Sequence, residues 1–397
     1  MKRVRIGIIG GGSEIDWAIL PALSGSEMAA PPDSGAWWGR RATLAEDIAY
    51  QPPARVELVA LADENVARLY RTAAAWRIRA PYSDWRQMLR EAQIDALVAS
   101  PELEATQRRE VLEAARERNL WLWLPGPPAS GARDIGFAAP RVWCSHYLNS
   151  AAAHRAARRL VESGRLGAVS ALALRWPRAL SPDSDNPNFA ATYAAFSLLV
   201  HFASLPPREG GRIRLPQGAR VAASETGGAT NVWLRFAHGL EGRALSATAL
   251  FTSADGWNTA FPRLEITGTE GRAVECEAGR RVVLTEPREA ARILELPGLA
   301  PHVSQSNVVG IAEDLKLFLA HVAEAQDSNE ANERAWHEAA AALRLLEAVR
   351  EALSTGAMIE TDLVRAAQPQ TLPTEKAAAE AVAAAPLQPV LRLPLHE

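Results

Sequence analysis

Short apolar runs alternate with amphipathic stretches through the early part of the chain. Four runs have the composition of buried β-strands, namely RVRIGII, VELVALA, DALVA and LWLWL. The stretches between them place apolar residues at helical spacing, as in SEIDWAILPAL, ENVARLYRTAAAWRI, DWRQMLREA and EATQRREVLEAARERN. Strands that alternate with helices form a parallel sheet with helices on both faces. The pattern therefore predicts a doubly wound α/β domain.

The pattern changes after the prolines that follow LWLWL. Longer segments of alternating apolar and polar residues appear, including VSALALRW, TNVWLRFAHG, RALSATALFT and RLEITGTEG. They predict an open, mostly antiparallel or mixed sheet, with one face covered by amphipathic helices. We expect a first domain over residues 1–127 with a loop-like insertion at 24–55, a second domain over 128–365, and an Ala/Pro-rich tail over 366–397.

Composition narrows the classes of protein. The 397 residues suit two domains, and 48% hydrophobic with 22% charged residues is typical of a globular protein. A formal charge of -3 argues against a nucleic-acid partner, and no apolar run approaches the ~20 residues of a membrane span. The start leads directly into a strand, so we expect no signal peptide and a cytoplasmic location. Two cysteines, Cys144 and Cys276, argue against a disulfide framework and a thiolate metal site.

Glycines follow the first strand, and an acid ends the second. Such glycines permit a tight turn and let a pyrophosphate approach the backbone, although the third glycine of G-x-G-x-x-G falls at Ile15. Asp63 can accept both ribose hydroxyls and repels a 2′-phosphate, which favours NAD over NADP. Alternatively, the glycines only make a turn and Asp63 only caps the next helix. The predicted cofactor-binding residues in this Rossmann-like domain are Gly10, Gly11, Gly12, Ser13, Asp63, Ser100 and Pro101.

The chain resembles the Gfo/Idh/MocA family of sugar and inositol dehydrogenases. The resemblance lies in IGIIGGG, VELVALAD, DALVASP, LWLWLPGPP, LVESGRLGAVSALAL, RLEITGTEGRAVEC and LRLLEAVREALSTGAMIE, and it covers roughly Val4 to Glu360. It implies NAD as cofactor, no metal, a sugar-like small-molecule substrate, and a homo-oligomer, either a dimer or a tetramer. It leaves the insertion and the tail without an assigned role.

The family's fourth strand ends in Glu-Lys-Pro, where the lysine contacts the substrate hydroxyl and the proline lies against the nicotinamide. Here the matching residues are Pro125, Gly126 and Pro127. The resemblance therefore adds Pro127 to the cofactor-binding residues and leaves no acid or lysine at this turn. The chain's only lysines are Lys2, Lys316 and Lys376, and the sequence places none of them at the site.

The family's second catalytic element is an Asp-x-x-x-His on one helix. SLLVHFASL is the best match, with Ser197 at the aspartate position and His201 at the histidine position. A histidine can take or give a proton near neutral pH, so His201 is the first catalytic candidate. Alternatively, His201 is a buried residue satisfied by a backbone carbonyl. His146, in SHYLN where the family often places an arginine for substrate, is the second candidate.

Two functions remain open from the sequence. One is a divergent oxidoreductase that binds NAD(H) and a sugar-like alcohol, with impaired or altered hydride transfer. The other is a catalytically inactive relative that acts as a ligand-binding, regulatory or scaffolding subunit, either alone or beside a catalytic paralogue. A proton relay works only as a constellation, so the replacements at Pro125, Gly126 and Ser197 support the second function.

Overall fold

The structure is a computed structural model of the whole chain. It describes residues 3–12, 15–24, 55–128, 141–182, 189–204, 215–237, 244–252, 262–270, 273–277, 281–285, 291–295, 303–324 and 330–364. Most of the insertion, the whole tail at 366–397 and Ser13 lie outside the described residues. Among the described residues, no helix is both long and apolar enough to cross a membrane.

Six parallel strands form the first sheet in the order β3-β2-β1-β4-β5-β6. Their bounds are β1 Arg3–Ile9, β2 Arg55–Ala62, β3 Ala80–Tyr82, β4 Ala96–Ala99, β5 Trp121–Pro125 and β6 Val142–Ser145. The order reverses between β1 and β4, which is the switch point where such sheets bind ligands. The doubly wound prediction is confirmed.

Two strands of this sheet differ from the sequence prediction. The short edge strand β3 has only three residues, too few for an alternating pattern to predict it. β6 pairs in parallel with β5, with Ser145 opposite Pro125. The first sheet therefore extends past residue 127, the predicted end of the first domain.

The helices around the first sheet follow the predicted segments. A π-helical turn at Ile15–Ile19 leads into α1, and the first-domain helices are α1 Leu20–Ser24, α2 Val66–Ala75, α3 Trp85–Glu91 and α4 Ala105–Glu117. A much later helix, α7 Val303–Glu324, also packs on this sheet. Its buried Ile311, Leu315 and Phe318 share a core with Ile6 and Ile8 of β1. Distant parts of the chain thus build this domain's core.

Nine strands form the second sheet, in the order β14-β13-β12-β11-β7-β10-β9-β8-β15. All neighbours are antiparallel except β7 and β10, which confirms the predicted mostly antiparallel or mixed sheet. The bounds are β7 Val169–Trp176, β8 Gly218–Thr226, β9 Ala229–Ala237, β10 Ala244–Thr252, β11 Arg263–Gly268, β12 Ala273–Glu277, β13 Arg281–Thr285, β14 Arg292–Glu295 and β15 Ile359–Asp362.

Three further helices of the described residues pack on the second sheet. They are α5 Ala152–Glu162, α6 Phe189–Ala203 and α8 Glu330–Thr355. α6 is apolar on almost every side and is buried, as expected of a helix between two layers. α8 packs against α6 and also against β6, where Trp336 donates its indole N–H to the carbonyl of Val142 at 2.8 Å. The helix that carries His201 is therefore enclosed by elements of both sheets.

Candidate functional site

The carboxyl ends of the first sheet's strands bring most of the predicted cofactor-binding residues together. Gly10 follows β1, and its N–H donates to the carbonyl of Ala62 at the end of β2 at 2.8 Å. Ser100 follows β4, and its hydroxyl donates to the carbonyl of Gly11 at 2.9 Å. Asp63 follows β2 directly. These contacts join three strand ends, because all strands of a parallel sheet end at one edge.

Two of the three glycines have backbone angles that require glycine. Gly10 has φ +83° and Gly12 has φ +128°, which side chains rarely permit. A Cβ on Gly10 would also lie 2.8 Å from the Cβ of Ser100. The close approach of β1 to β4 at the switch point therefore depends on Gly10.

Asp63 is buried, and its carboxylate is already engaged. Its Oδ2 accepts from Arg68 Nε at 2.5 Å, and its Oδ1 accepts from Arg68 Nη2 and from the N–H of Asn65, both at 2.9 Å. Asn65, not Asp63, is the N-cap of α2, because its side chain accepts from the N–H of Arg68. Asp63 therefore holds Arg68 at the glycine turn, a contact that sequence reasoning missed.

A second carboxylate lies over the same turn. An added Cβ on Gly12 would lie 2.1 Å from Glu102 Oε1, and Glu102 Oε2 is 3.9 Å from Arg68 Nη1. Glu102 follows Ser100 and Pro101 in the loop after β4, and its N–H donates to the hydroxyl of Ser100 at 3.2 Å. The glycine turn is thus flanked by an acid, a base and a second acid.

The turn after β5 is built around a buried arginine. Arg108, on α4, donates to the carbonyls of Pro101, Leu103, Pro125 and Pro127 at 2.8, 3.0, 3.3 and 2.9 Å. The carbonyls of Pro101, Leu103 and Pro127 belong to loops, that of Pro125 ends β5, and buried carbonyls of this kind need donors. Arg108 therefore ties the loop after β4 to the turn that carries Pro127.

Gly126 is adapted to this arginine. It has φ +76°, and an added Cβ would lie 3.1 Å from Arg108 Nη1. Burial lowers the pKa of Arg108 to about 10, so the guanidinium stays charged at neutral pH. Its hydrogen bonds go to backbone carbonyls, so it does not replace the proton-transferring lysine of the resemblance. The backbone and a neighbouring cation both disfavour a lysine here.

His146 follows β6 and is almost fully buried. Its Nε2 lies 2.8 Å from the carbonyl of Ala335, which can only accept, so Nε2 carries the hydrogen. Its Nδ1 then accepts from the hydroxyl of Ser197 at 2.6 Å, with the Tyr193 hydroxyl 3.5 Å away. Ser197, expected beside His201, is therefore paired with His146 instead.

His201 is paired with residues from α8. Its Nδ1 lies 3.0 Å from Arg334 Nη2 and 3.3 Å from Glu338 Oε1. Arg334 also donates from Nε to Glu338 Oε1 at 2.7 Å, and Asn149 donates to Glu338 Oε2 at 3.3 Å. The alternative prediction for His201 is a backbone carbonyl as its partner, but its Nδ1 faces two side chains instead. A carboxylate meets this histidine, although it comes from a different helix than the one expected.

The electrostatics of this cluster keep the acid ionised and the histidine neutral. Burial lowers the pKa of His201 despite the nearby Glu338 carboxylate. Burial alone would raise the pKa of Glu338, but His201 and Arg334 hold it well below its usual range. A neutral His201 can accept from Arg334 at Nδ1, or donate from Nδ1 to Glu338 and leave Nε2 free to accept a proton. Glu338 and Arg334 thus determine which nitrogen carries the hydrogen.

Two other buried polar groups lie nearby. Asp314, on α7, accepts from the indole N–H groups of Trp123 and Trp143 at 2.7 and 3.2 Å, and burial raises its pKa. Cys144 lies 3.9 Å from the Tyr193 hydroxyl, and burial raises the pKa of its thiol to about 12. Across the described ranges, no group of three or more His, Cys, Asp or Glu could hold a metal ion.

The fold can be compared with solved structures. A dehydrogenase from Chromobacterium violaceum superposes with a TM-score of 0.66 at 14% identity, covering 90% of this chain and 96% of that protein. The chain therefore shares its fold with a solved dehydrogenase, as the resemblance to the Gfo/Idh/MocA family predicts. No protein-family model and no curated protein matches the sequence, so the likeness is one of three-dimensional structure.

Two other solved structures that share this fold contain ligands. Levoglucosan dehydrogenase in complex with NADH and levoglucosan has a TM-score of 0.64 at 14% identity, covering 90% of this chain and 99% of that protein. An oxidoreductase from Agrobacterium radiobacter in complex with NAD+, L-tartaric acid and magnesium has a TM-score of 0.60 at 12% identity, covering 91% and 98%. At this identity the likeness establishes the shared fold alone.

Proposed function

We propose that this chain is an oxidoreductase that binds NAD(H) at the carboxyl edge of the first sheet and acts on a sugar-like alcohol. The observation that carries the proposal is the pairing of His201 with Glu338 on the second domain of a fold whose solved examples include NAD-bound sugar dehydrogenases. A histidine held by a carboxylate is suited to proton transfer. Without this pair, only the fold would support an enzymatic function.

The cofactor's proposed contacts follow from the turn geometry. Gly10, Gly11 and Gly12 would admit the pyrophosphate, and Asp63 would take the ribose hydroxyls in exchange for part of its contact with Arg68. Ser100, Pro101 and Pro127 belong to the loops that Arg108 holds at the same edge. When bound, the cofactor supplies or accepts a hydride at its nicotinamide. NAD is favoured over NADP because Asp63 repels a 2′-phosphate.

Proton handling would belong to His201 rather than to the turn after β5. In the structure Nδ1 faces the Arg334 Nη2 donor at 3.0 Å, so the base role requires Arg334 to move away from Nδ1. With Nδ1–H then directed to Glu338, Nε2 would accept the hydroxyl proton of an alcohol as its carbon is oxidised. His146 would position α6 and α8 through Ser197 and Ala335. Because Gly126 supplies no ammonium, catalysis would depend more on substrate orientation, and we expect slow turnover.

A second function is favoured by the turn at Gly126. Its positive φ, and the 3.1 Å that would separate an added Cβ from Arg108 Nη1, disfavour a lysine at this position and so disfavour lysine-assisted transfer. On this alternative, the chain is a ligand-binding, regulatory or scaffolding subunit that acts beside a catalytic paralogue. The homo-oligomeric state, the cytoplasmic location and the three predicted segments at 1–127, 128–365 and 366–397 remain predictions under both functions.

One experiment separates the two functions. Purified protein is titrated with NADH while tryptophan fluorescence is followed, and is then assayed with NAD and a panel of polyols and sugars. NADH binding together with turnover on a member of the panel supports the oxidoreductase. NADH binding with a flat panel supports the non-catalytic subunit. If NADH does not bind at all, the dinucleotide proposal is wrong.

A further inference from the structure

Gly12 is the second glycine of the G-x-G pattern, and the carboxylate of Glu102 occupies the space that a side chain at Gly12 would fill. An added Cβ on Gly12 would meet Glu102 Oε1 at 2.1 Å and Oε2 at 2.2 Å. In dinucleotide-binding turns, the glycine at this position is the one that lets the pyrophosphate approach the backbone. Here a negative group of the chain itself fills the space that an anion would use.

Arg68 links this carboxylate to the ribose-binding acid. It is bonded to Asp63 through Nε and Nη2 and lies 3.9 Å from Glu102 through Nη1. An added Cβ on Gly11 would lie 2.1 Å from Asp63 Oδ2 and 2.5 Å from Arg68 Nε. Asp63, Arg68 and Glu102 therefore form one continuous ion cluster across Gly11 and Gly12.

The charge of this cluster determines what the turn can accept. A pyrophosphate at Gly12 would face Glu102 at short range, and two like charges repel strongly where water is partly excluded. Arg68 is shared between two acids, so its charge is largely compensated before any ligand arrives. The Glu102 side chain is still 45% exposed and the Arg68 side chain 32%, so both can move outward without breaking the core.

We propose that Glu102 is an internal competitor of the cofactor pyrophosphate and limits dinucleotide affinity in this chain. The inference rests on the proposed function, because it concerns the same site. When a dinucleotide binds, Glu102 leaves the turn and Arg68 is freed to neutralise the phosphates. Affinity for the dinucleotide is thus lowered by a residue outside both the glycine motif and Asp63.

The test measures NADH and ADP-ribose binding by isothermal titration calorimetry on four full-length proteins: wild type, Glu102→Gln, Glu102→Ala and Glu113→Gln. Glu113 is an exposed acid on α4 that pairs with Arg109, so its variant controls for the change in net charge. We expect both Glu102 variants to bind NADH and ADP-ribose about tenfold more tightly than wild type, because a like charge close to the pyrophosphate opposes binding while partial exposure to water weakens that repulsion. Glu113→Gln should bind like wild type.

Each other result has a definite meaning. If wild type binds NADH and the Glu102 variants bind it no more tightly, the inference is wrong while the proposed function stands. If Glu113→Gln gains as much as Glu102→Gln, the effect is one of net charge, and the inference is again wrong. A gain with NADH but not with ADP-ribose overturns the assignment to the pyrophosphate. If none of the four proteins binds either ligand, the proposed function fails, and the inference fails with it.

Discussion

His201 Nδ1 and Glu338 Oε1 lie 3.3 Å apart, although 137 residues separate them in the chain. The acid expected one helical turn before His201 is Ser197, which pairs with His146. A carboxylate from α8 thus takes the position relative to the histidine that the resemblance assigned to α6. This relationship gives His201 an orientation and a permanent negative neighbour.

Replacing His201 by alanine tests its proposed role as the proton acceptor. General base catalysis contributes about 10²–10⁴-fold to rate, so kcat on any accepted polyol should fall by about that range while NADH binding is kept. Steady-state kinetics and NADH titration measure the two effects separately. His337→Ala, at an exposed position on α8, is the control and should be unchanged. Equal activity of His201→Ala and wild type would remove His201 from catalysis.

Glu338 acts through His201, so Glu338→Gln should change the pH profile as well as the rate. The carboxylate raises the pKa of His201 against the effect of burial. Its loss should therefore lower that pKa, and the acidic limb of the kcat profile should move to lower pH. We expect kcat to fall by roughly ten- to a hundredfold with little change in KM, as for groups that orient a catalytic residue. A lower kcat with an unshifted limb would indicate a purely structural role.

Restoring lysine at Gly126 should not restore turnover. Gly126→Lys would place a side chain at φ +76° and bring its Cβ 3.1 Å from Arg108 Nη1. Alanine variants separate the cost of the positive φ from the cost of a steric contact with Arg108. Gly164 has φ +72° and nothing within 4 Å of an added Cβ, so Gly164→Ala should cost only about 1 kcal/mol. Gly126→Ala should cost about 2 kcal/mol in urea unfolding, because a locked guanidinium adds a steric contact.

The result for Gly126→Lys has a clear contrary outcome. A gain in polyol oxidation would mean that Arg108 moves away from the new side chain and that the turn tolerates an ammonium group. Equal losses of stability in Gly126→Ala and Gly164→Ala would mean that the contact with Arg108 contributes nothing.

Arg108→Met should be among the most destabilising single changes in the first domain. It removes the donor for the carbonyls of Pro101, Leu103, Pro125 and Pro127. Each buried acceptor left without a donor costs about 1–3 kcal/mol, so a total loss of about 3 kcal/mol or more is expected. Chemical denaturation measures it. Arg109→Met is the matched control, since Arg109 is exposed and pairs with Glu113 on its own helix. We expect the control to lose less than about 0.5 kcal/mol.

Acid should destabilise the protein through His154. This histidine is buried, its Nδ1 bonds to the carbonyl of Leu148 at 2.7 Å, and burial lowers its pKa to about 4. The unfolded chain binds its proton near pH 6.5, so stability is complete above that pH and falls as the pH drops toward 4. The loss at pH 5 relative to pH 7.5 should be about 2 kcal/mol. His154→Asn should flatten this dependence in urea titrations, and an equally steep loss would contradict the assignment.

Local patterns were sufficient for the fold. Alternating apolar runs and helical spacing predicted the doubly wound sheet, and longer alternating segments predicted the second, mostly antiparallel sheet. Both depend on which face of each element is buried, and that information is present residue by residue. The short strand β3 and the continuation of the first sheet into β6 were not predicted. Three residues carry no period, and pairing between strands is a non-local choice.

For the site as well, features that depend on local sequence could be predicted, whereas features that depend on distant partners could not. The sequence by itself determined the glycine turn, the acid at the end of β2, the missing lysine at Gly126 and the histidine at position 201. Only the tertiary structure decided their partners: Arg68 and Glu102 at the turn, Arg108 beneath Gly126, and Glu338 beside His201. Backbone turns and residue types are fixed by the local chain, whereas ion pairs and buried hydrogen bonds depend on which distant side chains the packed helices bring within about 3 Å.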